Sequence, residues 1–243
     1  MVHGQIVALR FSSREACQAQ QGLNRGIKMV QTGFMISTLA LIYLAKSVEL
    51  TPIDDVWVYP HSSDQVGDHY LRCWGSGGQS VADVSRGAAS VSWSCLKFDL
   101  SGIEGSIKSA KLVLWLPHPR GFTPDQAKEA PIEVRLVSSK FEEETFTFDD
   151  AKDVMPGRDV ASILGMLSPD LPDDEKSLSI SIPLNKDGAM KRLNELAKGD
   201  KVFAVALTSK IDPETAGEGG IYKFFSRNGP APTRPKLILE IDN

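Results

Sequence analysis

From Val48 onward the chain is divided into short runs of β-branched and aromatic residues, each closed by Gly, Pro, Asp or Ser. DVWVYP (55–60), HYLRCWG (69–75), SVSWSCLKFDL (90–100), AKLVLWLP (110–117) and PIEVRLVSS (131–139) read as strands. TFTF (145–148), SLSISIPL (177–184), KVFAVALTSK (201–210), KFFSR (223–227) and PKLILEI (235–241) follow. Runs of this length and spacing predict an all-β fold, an antiparallel β-sandwich or barrel. Two stretches read as short helices in the connections. DVASILGML (159–167) is one. NKDGAMKRLNELAKGD (185–200) is the other, with Met190, Leu193 and Ala197 on one stripe, Asn185 or Asp187 as cap and Gly199 as stop. No internal repeat or linker interrupts residues 48–243, which read as one domain.

The segment before Val48 has a different character. Residues 1–47 hold five basic residues and one acidic residue, whereas the rest holds 22 basic and 30 acidic residues. Residues 30–45 carry no charge and follow Arg25 and Lys28, the order of an export signal. Ala45 and Ser47 supply the small residues that signal peptidase prefers, so cleavage near Ser47 is expected, behind an N-terminal extension. Met29 or Met35 would be a more ordinary start than Met1. A membrane anchor or a buried helix are the other readings of this stretch, which is short of the roughly 20 apolar residues of a span. The expectation is therefore a secreted or cell-envelope protein with no membrane span after cleavage. The net charge of −4 argues against nucleic acid as a partner.

Alternation along the strands assigns faces. Leu96, Phe98 and Leu100 share one face, and Val91, Trp93, Cys95 and Lys97 the other. Leu112, Leu114 and Leu116 likewise oppose Lys111, Val113 and Trp115. With the leucine faces as core, Trp93 and Trp115 are expected to point outward, and a hairpin turning near 104–105 would set them opposite each other. Export removes Cys17 and leaves Cys73 and Cys95, an even pair in an oxidising compartment, for which a disulfide is expected. Parity opposes it, since Cys73 shares the inward face of Leu71 while Cys95 points out.

The order of these segments resembles the DNRLRE domain, a family of secreted and surface β-sandwiches grouped with carbohydrate-binding modules. CLKFDLSGIEGSIKSAKLVLWL (95–116) is similar to its Phe-Asp-Leu-Ser segment, loop and Ser-Ala-x-Leu-x-Leu. DDVWVYPHSSDQVGDHYLRCWG (54–75) resembles its opening strand and Gly-containing turn, and FFSRNGPAPTRPKLILEI (224–241) its closing strand pair. VRLVSSKFEEETFTFDDA (134–151) resembles a segment in which tryptophans are usual where Phe141 and Phe148 stand here. The resemblance spans roughly residues 52–242. It implies a jelly-roll-like sandwich and a binding or structural role.

Signatures of catalysis are sparse. The mature chain has His61, His69 and His118, but no G-x-S-x-G elbow and no zinc-type spacing of His or Cys. GSGG (75–78) reads as a loop between strands rather than a phosphate cradle. The acidic runs at 142–144, 149–150 and 173–174 read as solvated loop faces. Asp54, Asp55, Asp64 and Asp68 offer hard oxygen ligands for Ca2+ without a loop signature; no other cofactor is indicated. Sugar rings stack on aromatic side chains, so Trp93, Trp115, Trp74 and Tyr70 are the candidate carbohydrate-binding residues, with Trp57 and Tyr59 beside them. The leading expectation is a secreted non-catalytic module that binds polysaccharide. A structural or adhesive surface sandwich, contacting an extracellular component, and a small jelly-roll polysaccharide-degrading enzyme are the alternatives.

Overall fold

A computed structural model describes residues 46–59, 67–75, 91–154, 160–170, 176–210 and 221–242. The export signal and N-terminal extension, His61, Asp64, the glycine run beyond Gly75 and the acidic pair at 173–174 lie outside the described residues. The described residues fall within one compact unit. Among the described residues there are eleven strands: β1 (Lys46–Leu50), β2 (Asp54–Val58), β3 (Tyr70–Cys73), β4 (Trp93–Asp99), β5 (Ser106–Leu116), β6 (Ile132–Leu136), β7 (Ile163–Leu167), β8 (Leu178–Pro183), β9 (Val202–Thr208), β10 (Tyr222–Phe225) and β11 (Lys236–Asp242). Helices α1 (Pro124–Glu129), α2 (Ala151–Val154) and α3 (Ala189–Lys198) sit in the connections.

The strands make a four-stranded sheet ordered β1-β11-β5-β8, a five-stranded sheet ordered β2-β4-β9-β6-β7, and a two-stranded ribbon of β3 and β10. Every named pairing is antiparallel. The main core lies between the larger sheets. Leu112, Leu114, Ile180, Ile182, Leu237 and Leu239 from one sheet meet Leu96, Phe98, Ile132, Phe203, Val205 and Leu207 from the other. The chain is an all-β sandwich, as the alternating runs predict. Leu71, Cys73, Tyr222 and Phe224 of the ribbon join the same core. The ribbon packs against β2 and β4 through β3 and against β5 through β10, closing one side of the sandwich.

The five-stranded sheet is buried on its other face too. Val56, Val58, Trp93, Cys95, Ala204 and Ala206 pack under Phe141, Phe146, Phe148, Ala151 and Val154. Ala204 and Ala206 leave room for this covering layer to approach β9. Farther along the same face, Arg135 is buried and donates to Glu133 (2.7 and 3.0 Å), to the Thr208 hydroxyl (3.1 Å) and to the Ser162 hydroxyl (3.1 Å). A buried charge is tolerated only when paired and hydrogen-bonded in this way.

Several expectations change. β4 and β5 do not form a hairpin; they belong to different sheets, joined by a corner in which the Asp99 carboxylate accepts from the Ser101 N–H (2.8 Å) and hydroxyl (2.9 Å). Gly105 ends the corner at φ +94°, and a Cβ there would stand 2.1 Å from the Asp242 carbonyl oxygen. Ile163–Leu167 is strand β7 after a single 3-10 turn, not a helix, because it pairs with β6. The 145–148 run forms turns of the covering layer rather than a strand. Helix α3 starts after Gly188, in the left-handed region, and uses neither Asn185 nor Asp187 as cap. Helix α1, unread from its sequence, begins with a capping box between Thr123 and Gln126. Strand β1 includes Ser47; cleavage there would leave Val48, Glu49 and Leu50 paired with Leu239, Ile238 and Leu237.

Cys73 and Cys95 stand as separate thiols, both fully buried, so the expected disulfide is corrected. Cys73, on the ribbon, lies in the main core, and Cys95, on β4 of the five-stranded sheet, lies under the covering layer, so the two belong to separate apolar clusters. Burial pushes both thiols well above the ordinary range. A disulfide closing a loop of this size would contribute about 3 kcal/mol. A reductant is therefore expected to leave the melting temperature of the protein unchanged, as differential scanning fluorimetry with and without it checks; a drop of several degrees would mean a bridge.

Candidate functional site

The outward face of the ribbon gathers two cations and two aromatic rings. Alternation turns Leu71, Cys73, Tyr222 and Phe224 into the core and leaves Tyr70, Arg72, Lys223 and Phe225 half-exposed. The register sets Arg72 opposite Lys223 and Tyr70 opposite Phe225. The Tyr70 and Phe225 rings are 5.2 Å apart, and the Lys223 ammonium sits 3.9 Å from the Tyr70 ring centre. The Arg72 guanidinium lies 4.5 Å over the ring of Trp57. Like charges directly opposite each other destabilise a strand pair. Burial and the facing Arg72 hold the Lys223 pKa below its ordinary value.

Asp68 organises this face. Its carboxylate accepts from Arg72 (2.7 Å), from the Trp57 indole N–H (3.1 Å) and from the Tyr70 backbone N–H (3.1 Å). Burial opposes its ionisation, but the Arg72 hydrogen bond and charge prevail and hold it below the usual carboxylate range. Beneath Arg72, Trp57, Tyr59 and Trp74 form a contiguous aromatic group with ring centres 5.2–6.4 Å apart.

The turn after β10 is fixed from two directions. Ser226 donates its N–H to the His69 carbonyl (3.0 Å) and its hydroxyl to the Asp68 carbonyl (2.5 Å). Asp55 accepts the Arg227 backbone N–H at 2.6 Å, and Glu143 accepts from Arg227 Nε (2.6 Å), Asn228 (2.8 Å) and the Gly67 N–H (3.2 Å). Asp54 accepts from Lys97 (2.9 Å) and from the Glu143 N–H (3.1 Å), while Lys97 also donates to the Phe141 carbonyl. Glu143 is 4 % exposed, so this member of the acidic run is a buried anchor and not a solvated loop residue. Burial, opposed by the Arg227 N–H and reinforced by the Glu143 charge, raises Asp55 from 3.8 to about 7. The folded chain thus holds a proton on Asp55 that the unfolded chain releases near pH 3.8. This group's contribution to stability is complete in acid and is lost as pH rises through about 7. Asp55→Asn keeps an acceptor for Arg227 and carries no charge. Its melting temperature relative to the parent is expected to rise by about 4 °C or more between about pH 5 and about pH 8.5, read by calorimetry.

The residues singled out in the sequence are dispersed. Tyr70 stands on the ribbon face. Trp74 is 6 % exposed beneath it, and its Nε1–H has no partner among the described residues. Trp93 is 3 % exposed under Phe141, Phe146 and Phe148, so its expected outward exposure is corrected: the covering layer takes the face that alternation assigns to solvent. Trp115 is half-exposed on β5, opposite Ser179 of β8, in the other sheet from Trp93. Asp54, Asp55 and Asp68 are each held by cations or N–H donors. Among the described residues no group of three or more His, Cys, Asp or Glu side chains converges to hold a metal ion. Trp93→Ala is expected to cost about 3–5 kcal/mol, and Trp115→Ala markedly less; chemical denaturation of the two variants checks the difference.

Arg72 and Lys223 escape the sequence reading, which takes Glu143 for a solvated loop residue. Alternation around Tyr70 places Arg72 outward, but its meeting with Lys223 depends on a strand pairing about 150 residues away in the chain. No protein-family model matches the chain, and no curated protein matches it.

Proposed function

We propose that this chain is a secreted, non-catalytic module that binds polysaccharide through the outward face of the β3–β10 ribbon. The observation that carries the reading is the pairing of Arg72 and Lys223 among Tyr70, Phe225 and Trp57 on one half-exposed face. Aromatic rings offer faces to the C–H surfaces of sugar rings. Two adjacent cations that share one carboxylate, Asp68, ion-paired to Arg72, favour a chain that carries carboxylate or sulfate groups. The likeness of residues 52–242 to the DNRLRE family supports the same reading, and the uncharged run at 30–45 supports export. Among the described residues no helix is long and apolar enough to cross a membrane.

Affinity electrophoresis against polygalacturonate, a sulfated glycan and neutral glucans tests the proposal. Retardation by at least one acidic polymer is expected, weakened about tenfold by Arg72→Ala and by Lys223→Ala. Lys223→Ala should melt near the parent, and Arg72→Ala, which takes the ion-pair partner from Asp68, somewhat lower, so retardation of each is compared well below its own melting temperature. Absence of binding to every polymer, or binding that both variants retain, would favour the structural or adhesive reading instead.

A further inference from the structure

The covering layer carries a concavity that the ribbon face does not use. It opens to solvent and holds about 630 Å³ above Phe141, Phe146 and Val154. That volume falls within the range of about 300–1,000 Å³ typical of small-molecule sites. Its base is apolar and fixed. Phe141 and Phe146 are buried with ring centres 5.6 Å apart, and Val154 is buried beside them. Lys97 is anchored to Asp54 and the Phe141 carbonyl, and Asp150 accepts the Thr147 N–H (2.9 Å) and hydroxyl (2.6 Å). The walls are held in place by bonds that do not consume the remaining polar groups.

Those remaining groups define the ligand. The side chains of Ser139, Lys140, Glu142 and Thr145 form no hydrogen bond or ion pair with other described residues. Together they present one ammonium, one carboxylate and two hydroxyls, donors and acceptors with no net charge. An ionic ligand would meet one matching and one opposing charge. A neutral, polyhydroxylated ligand can use all four, because each of its hydroxyls both donates and accepts. Its C–H faces can lie against the Phe and Val base. We infer that this concavity is a second binding site, separate from the ribbon face, for a neutral saccharide.

Isothermal titration of the full chain with cellotetraose, maltotetraose and mannotetraose tests the site. At least one is expected to bind below roughly 10 mM. Thr145→Trp, which fills the space from an exposed position, and Glu142→Gln, which leaves the volume and removes the charge, should each weaken that binding about tenfold or more. Arg72→Ala should leave it unchanged, whatever becomes of acidic polymers. The site is overturned if none of the three probes binds, if binding persists in both variants, or if Arg72→Ala abolishes it. Should Thr145→Trp fail to melt like the parent, Glu142→Gln alone decides.

Discussion

Strands β4 and β9 carry apolar side chains on both of their faces, and an opposing sheet can cover only one. Leu96, Phe98, Phe203 and Val205 are satisfied by the four-stranded sheet. Trp93, Cys95, Ala204 and Ala206 would be left in water without the segment from Phe141 to Val154. That requirement draws the 137–154 connection onto the sheet. Once there, the connection delivers Glu143 to Arg227 and the Phe141 carbonyl to Lys97. The covering layer thus satisfies a packing demand and also fixes the turn that follows β10.

The ribbon is the complementary device. Its inward residues complete the core, so its outward residues are held on a rigid base rather than on a loop tip. Asp68 converts this rigidity into geometry at Arg72, by anchoring the guanidinium and the Trp57 indole with the same carboxylate oxygen. A cation placed on an aromatic ring in a partly desolvated position is attracted more strongly than one in bulk water. The polar face and the apolar core are therefore two sides of a single four-residue strand pair.

Much of this was legible in the sequence, and the failures have physical causes. Alternation placed Leu96 and Phe98 inward and Cys73 and Cys95 on opposing faces, which is the structural reason no bridge joins them. It also placed Trp93 away from the leucine face correctly, yet a strand's period of two says nothing about whether a further layer lies outside. The 159–167 run differs because its short apolar stretch suits a buried strand as well as a helix, and the pairing of Ile163–Leu167 with β6 decides between them. Tyr70 could be named from its type and position. Lys223 could not be joined to Arg72, because cross-strand register between distant segments is not a local property of the chain.

Among the described residues strand β1 pairs with β11 alone, with Val48 opposite Leu239 across 191 positions of chain. Such a pair bears nearly the whole loop-closure cost of the domain before any of its contacts reward it. The four-stranded sheet cannot assemble from β1 and β5 alone, because β11, which joins them, lies more than 100 positions beyond both. Without β11, one hydrogen-bonding edge of β5 is left unpaired. Weakening β11 therefore frees β1 and one edge of β5 together, so the integrity of this sheet is vested in a single strand.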